Sequence, residues 1–229
     1  MRFRLNADPA ALREQYVNAR PFPHIVLDNL FPNEILEEVL DDFPRPDEIA
    51  WRKFDNNTEK KLGYWHENAL RPHIQLFLYE MNSAPLLQFL EALTGIEGLV
   101  SDPYYGGAGP HQIEPGGFLK VHVDFNWHPL LKLDRRLNLL VYLNKDWEEE
   151  YGGHLELWNR DVSRCEQKVL PVFNRTVVFS TTDFSFHGHP VPLACPEGRT
   201  RKSVSFYYYS NGRPDEERSA PHDTIFRET

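Results

Sequence analysis

The sequence predicts a mainly β fold, a jelly roll or antiparallel barrel supported by N-terminal helices. Before about residue 100, apolar residues recur at helical spacing between capping residues. After it, short β-rich runs alternate with Gly, Pro and Asn. The 18 prolines in 229 residues add a demand for many turns and short elements.

In chain order, Asp8 is placed to cap a helix that opens on Pro9 and runs to about Val17. HIVL (24–27) reads as a strand. Asn33 can cap the helix EILEEVLDDF, which must stop before Pro44. HIQLFLYEM (73–81) and APLLQFLEALTG (84–95) have helical spacing, the second with Ser83 as N-cap, Pro85 in the first turn and Gly95 at the end. The glycine-rich YYGGAGP (104–110) marks the change of texture. Seven strand-like runs follow: HQIEP, GFLKVHVDF, RLNLLVYLN, GGHLELWN, KVLPVF, RTVVFS and KSVSFYYYS. No linker-like stretch divides the halves. Residues 1–229 therefore read as one domain, with helical support over 1–100, a β core over 101–212 and a tail over 213–229.

Composition excludes several classes. Apolar residues make up 41% and charged residues 26%, which is a folded composition and not a disordered one. A net charge of −9 argues against a nucleic-acid partner, which calls for a basic face. No apolar run approaches the ~18 residues of a membrane span, and the N-terminus lacks the apolar stretch of a secretory signal. Cys165 and Cys195 are too few for a disulfide scaffold or a thiolate zinc site, so the expected setting is cytoplasmic. Oligomeric state leaves no signature.

Of the ten histidines, most sit in loops or at element ends and read as surface or packed residues. His122-Val123-Asp124 differs. On a strand, i and i+2 face the same way, so one imidazole and one carboxylate project together. Alone this is a weak signal. SFHGHP adds His187 and His189, again at i and i+2, and RTRKSVSFYYYS adds Arg199, Arg201 and Lys202 at the head of the last strong strand. By parity Arg201, Ser203, Ser205, Tyr207 and Tyr209 share one face, with Lys202, Val204, Phe206 and Tyr208 on the other. The first face suits a cavity holding a charged ligand; the opposite assignment puts it in water, and parity does not choose. Two His and one carboxylate form the facial set of non-haem Fe(II) oxygenases, leaving positions for a bidentate 2-oxo acid and O2. An arginine fork suits the distal carboxylate of such an acid.

With these residues in view, the chain resembles Fe(II)/2-oxoglutarate-dependent dioxygenases of the prolyl-4-hydroxylase-like branch. GGFLKVHVDFN resembles the family's first metal motif, RRLNLLVYLN its Arg-rich strand ending in Tyr-Leu-Asn, YGGHLELW its Gly-Gly-x-Leu turn. SFHGHP followed by Arg201-Lys202-Ser203 resembles its distal histidine and Arg-x-Ser. The resemblance implies a double-stranded β-helix (jelly-roll) core, with His122, Asp124 and His187 as iron ligands and also the catalytic centre. His189 is the alternative third ligand. It implies Arg201 as the 2-oxoglutarate anchor with Ser203 beside it, and Gln112 and Asn138 as further cosubstrate contacts.

The expected cofactors are Fe(II), 2-oxoglutarate and O2. The expected reaction is hydroxylation of an amino acid, a peptide or protein residue or a small metabolite, with release of succinate and CO2. Related halogenases lack the carboxylate, so Asp124 points to hydroxylation. The rival class is a cupin-like metal-binding barrel, which places His-x-His early and Glu soon after; here HGH comes late. Segments 125–135 and 51–70 are the expected lid.

Overall fold

The computed structural model describes residues 1–228. Its N-terminal half carries α1 (Pro9–Val17), β1 (His24–Asp28), α2 (Asn33–Asp41), β2 (Arg52–Asp55), β3 (Glu59–Gly63), α3 (Pro72–Met81) and α4 (Ala84–Thr94). The Asp8 carboxylate accepts the Ala10 N–H at 3.1 Å and so starts α1 as expected. Gly95, at φ +76°, closes α4 in the left-handed conformation that the spacing foretold.

Two caps differ. Asn33 lies inside the first turn of α2, and its side-chain oxygen accepts the Asn174 amide at 2.6 Å, tying the helix to a strand turn instead. Ser83 stands at the N-cap of α4 but donates its hydroxyl back to the Glu80 carbonyl.

The rest of the chain is β: β4 (Val100–Ser101), β5 (Gly109–Ile113), β6 (Phe118–Val123), β7 (Trp127–His128), β8 (Leu133–Tyr142), β9 (Leu155–Trp158), β10 (Cys165–Val169), β11 (Arg175–Ser180), β12 (His187–His189), β13 (Arg201–Ser210) and β14 (Ile225–Phe226). The run KVLPVF is strand only at its start. β10 ends at Val169, because Pro171 has no N–H for a ladder and the Val172 N–H turns back to the Leu170 carbonyl.

The pairing order is β1-β11-β8-β13-β5-β3-β6-β12-β9-β10, every named pair antiparallel. This is a jelly roll. One sheet is built on β11, β8, β13 and β5, the facing one on β6, β12, β9 and β10, and β3 joins them by pairing with both β5 and β6.

The parity question resolves for the cavity reading, and the opposite face of β13 is buried as well. Val204, Phe206 and Tyr208, with Leu137, Leu139 and Val141 of β8, pack against Ile74, Phe77, Leu78 and Met81 of α3 and Leu86, Leu90 and Leu93 of α4. Each such fully buried side chain contributes roughly 1.5–3 kcal/mol relative to exposure, so helices and sheet stabilise one another. The alternate residues, Asn138, Leu140 and Tyr142 with Arg201, Ser203, Ser205 and Tyr207, face a cavity between the sheets. Among the described residues no helix is long and apolar enough to cross a membrane.

The segment read as a tail returns to the body. Arg213 is buried, pairing with Asp134 and donating to the Arg135 carbonyl. Asn126 holds the Ser219 hydroxyl, the Ala220 carbonyl and the His222 N–H, and β14 adds to the edge of β6.

Candidate metal centre and adjoining cavity

Register builds the centre. In the β12–β6 pair His187 lies directly opposite His122, and their rings are 4.4 Å apart between centroids. Asp124 follows β6 by one residue and turns its carboxylate to both. His122 Nε2 is 3.7 Å from Oδ1, and His187 Nε2 is 3.5 Å from Oδ2. One ligand atom from each of the three lies within 4.8 Å of the others.

The histidines approach so closely because Gly188 has no side chain. A Cβ there would meet the Leu119 and Lys120 carbonyls at 2.8 Å.

The polar atoms around the three residues fit them for a metal. His122 Nδ1 donates to the Lys120 carbonyl and His187 Nδ1 to the Ser185 carbonyl, each at 2.9 Å. Both bonds fix the tautomer that leaves Nε2 as a lone pair facing Asp124. Burial, then the neighbouring His122, push the His187 imidazole down to about 4, so it is neutral and ligating near pH 7. Burial raises the Asp124 carboxyl, but the neighbouring charges, the Arg135 guanidinium foremost, outweigh it and hold it well below the usual carboxylate range. Asn138 donates to Asp124 Oδ2 at 2.7 Å, and Arg135 approaches the same oxygen at 3.3 Å while also donating to the Asn138 carbonyl oxygen. Two imidazoles with Nδ1 engaged and Nε2 turned to one oriented carboxylate suit a divalent first-row metal, Fe(II) among them.

Behind the centre is a cavity of about 100 Å³, lined by Leu140, Tyr142, Leu155, His189, Arg201 and Ser203 among others. Arg201 is 5% exposed, and no acidic residue is among the groups that act on its charge. Its Nε donates to the Gly153 carbonyl at 2.6 Å and Nη2 to the Tyr142 hydroxyl at 3.3 Å. A side chain at Gly153 would collide with Arg201 and Leu193, which explains the second glycine of YGGHLELW. A buried guanidinium without a carboxylate partner is costly unless an anion joins it. The cavity is therefore shaped for an anionic ligand that reaches from Arg201 to the metal centre.

The expected site residues gather with one exception. His122, Asp124, His187, Asn138, Arg201 and Ser203 all line the cavity, as does His189, which lies outside the three-residue cluster. Gln112 does not. It is fully buried on the other side of β5, donating to the Pro44 carbonyl at 2.9 Å and accepting the Thr200 hydroxyl at 3.0 Å, so it secures the strand and faces no ligand. Lys61 lines the cavity without having been singled out, His111 lines it as a strand histidine more readily read as packed, and Tyr142 was visible only as one letter of a motif.

A second cavity of about 510 Å³ opens from the metal centre to the surface, walled by the β2–β3 hairpin, Phe125 and the stretch 223–226. Both expected lid segments contribute to it: Arg52, Phe54 and Trp65 from the first, Phe125 and Arg135 from the second.

The family model described as the 2OG-Fe(II) oxygenase superfamily matches residues 108–209, the stretch that holds every residue of the metal centre and Arg201. That stretch of the chain is similar to this superfamily. The chain's fold is that of the prolyl-4-hydroxylase-like branch. A prolyl-4-hydroxylase from Pseudomonas putida superposes with a TM-score of 0.64 at 18% identity, over 90% of this chain and 100% of that one. A Trichoplax adhaerens prolyl hydroxylase, solved with a hypoxia-inducible-factor oxygen-degradation-domain peptide, superposes at 0.60 and 14% identity, over 88% and 89%. Mouse prolyl 3-hydroxylase OGFOD1 is 29% identical over 79 residues, 33% of this chain. That match takes in 14% of the mouse protein. Members of that superfamily use Fe(II), 2-oxoglutarate and O2, and the His122–Asp124–His187 donor set fits the first of these.

Proposed function

We propose that this protein is a 2-oxoglutarate-dependent hydroxylase acting on a residue of a peptide or protein, prolyl in the first instance. The observation that carries the reading is the His122–Asp124–His187 cluster, with both Nδ1 atoms anchored to carbonyls and an unpaired guanidinium at the far end of the same cavity.

His122, Asp124 and His187 would hold the iron, and Arg201, with Ser203 and Tyr142 beside it, would hold the distal carboxylate of 2-oxoglutarate. Bound there, Fe(II) supplies O2 activation: 2-oxoglutarate and O2 yield succinate and CO2, and the second oxygen atom enters a substrate C–H bond. The chain's own part is placement and exclusion. Asn138 and Arg135 keep Asp124 ionised and oriented, and the two Nδ1 bonds set the tautomer that turns each Nε2 toward Asp124. Leu140, Leu155 and Ile113 remove water from the cavity wall.

The outer cavity supports a chain-like substrate. It is an open cleft between two peripheral segments, with Phe54, Trp65, Phe125, Tyr207 and Phe226 on its walls. At its rim the Arg52 guanidinium lies 4.9 Å from the Phe54 ring and 5.1 Å from the Trp65 ring. Aromatic walls suit a compact apolar ring such as proline, and an open cleft admits the chain on either side. The similarity to prolyl hydroxylases supports the same substrate class.

The site draws on residues from 52 to 226, which supports treating the chain as one catalytic domain. Two free cysteines support a reducing, cytoplasmic setting, and the net charge of −9 supports a partner other than nucleic acid. The test is mass spectrometry of proline-containing peptides after incubation with Fe(II), 2-oxoglutarate and O2. A one-oxygen gain on proline, absent with Asp124→Ala, is expected. Oxygen gain only on free amino acids or small metabolites would overturn the peptide assignment.

A further inference from the structure

His189 is a buried imidazole with no bonding partner. It is 3% exposed, and neither Nδ1 nor Nε2 meets a hydrogen-bond partner among the described residues. Every other histidine in the buried set is bonded: His24 to Gln167 and the Phe22 carbonyl, His122 and His187 to carbonyls, His128 to the Leu131 N–H. Leaving polar nitrogens unbonded inside a protein is unfavourable, and such a group in a cavity wall points to a ligand.

Register locates that wall. β12 runs from the metal end, where His187 faces His122, toward the arginine end. On its other edge His187 opposes Leu157 and Gly188 opposes Glu156, so His189 comes level with Leu155. Leu155 is two residues from Gly153, whose carbonyl accepts the Arg201 Nε–H. The β-bulge between His187 and His189 shifts the pairing to Leu119, and both rings face the cavity. The charged side chains that act most on the imidazole are cationic, Arg201 before Lys61.

We propose that His189 is a specificity residue for the cosubstrate, donating a ring N–H to the distal carboxylate that Arg201 holds. This rests on the 2-oxoglutarate reading above and deepens it. One ring N–H is enough for this bond, and an imidazole supplies it in either tautomer.

The test is calorimetry on Mn(II)-loaded protein, which needs no turnover. 2-Oxoglutarate is compared with 2-oxobutyrate, which keeps the chelating 2-oxo acid but lacks the distal carboxylate. In His189→Leu, 2-oxoglutarate binding is expected to weaken about 10- to 100-fold, the size of one hydrogen bond to a charged group. 2-Oxobutyrate and Mn(II) binding are expected to stay at wild-type strength. The Tm should stay level or rise, because two unbonded nitrogens leave the interior. His189→Gln, which retains an N–H donor, provides a second, polar variant with the same comparison.

Unchanged 2-oxoglutarate affinity in His189→Leu would overturn the proposal. So would an equal loss for both acids, and so would a loss of Mn(II), which would make His189 part of the metal centre. Arg201→Leu separates the two levels of the argument. If wild type binds 2-oxoglutarate and Arg201→Leu does not, only the assignment of His189 is at stake. If wild type does not bind it, the cosubstrate reading itself fails.

Discussion

Asn138 was expected to touch the cosubstrate, and its side chain does line the cavity, but its bonds go to Asp124 and Arg135. It is a positioning residue for the carboxylate ligand. Asn138→Leu, close in volume, is expected to weaken Mn(II) or Fe(II) binding by about 10- to 100-fold, as loss of a group that orients a metal ligand does. A metal titration followed by calorimetry checks this, and wild-type affinity would return Asn138 to the cosubstrate. At this scale the metal cluster was legible because side-chain direction on a strand has period two, so His122 with Asp124 is visible in three letters. Gln112 misled for the same reason: periodicity places it on a neighbouring strand but does not tell which of two buried faces its amide joins. His189 and His187 stand two apart and face one cavity, and only the β-bulge and the register assign one to the metal cluster and one to the wall.

Among elements, β12 is the shortest that matters. Its central Gly188 lies against two carbonyls of β6 that cannot move without breaking the pair. Gly188→Ala is expected to cost ~1–3 kcal/mol through overpacking and to weaken metal binding together with stability, since His187 and His122 must part. Thermal unfolding of the variant with and without Mn(II) reads both. Asp28 and Arg175 face each other across β1 and β11, with Nε–Oδ1 at 2.6 Å. The Arg175 hydrogen bond, against a smaller opposing effect of burial, lowers the Asp28 carboxyl below its usual range. Its folded-state pKa is depressed, so its contribution is present above the unfolded value of 3.8 and is lost as pH falls through the folded one. Wild type should exceed Asp28→Asn in Tm at pH 6, and the gap should close below about pH 4. With Asp28 half exposed, water screens the pair and the gap is worth about 0.5 kcal/mol. The strands of the core were legible from their apolar alternation. The β2–β3 hairpin was not, because RKFDNNTEKKLG is almost wholly polar and buries little beyond Leu62 and Gly63. β14 is two residues long and offers no pattern at all.

Across the whole molecule, the N-terminal half and the C-terminal segment both wall the cleft at the metal centre. Arg52, Phe54 and Trp65 come from the N-terminal half, while Asp223, Thr224 and Phe226 come from the last residues, and the Phe226 ring lies 5.4 Å from the His122 ring. Removing residues 223–229 is expected to leave Mn(II) and 2-oxoglutarate binding near wild type and to lower turnover of a peptide substrate about 10-fold or more, because one wall of the cleft is gone. Comparing the two binding constants with peptide turnover checks this; an equal loss in all three would mean that the segment supports the fold alone.

The most direct measurement of this chemistry is succinate formation from 2-oxoglutarate by anaerobically Fe(II)-loaded protein on exposure to O2, with 2-oxoglutarate binding read in the same sample. Wild type is expected to bind 2-oxoglutarate and release succinate, His122→Ala to release none, and Arg201→Ala to lose both. An Fe(II)-loaded wild type that neither binds nor consumes 2-oxoglutarate would contradict the account.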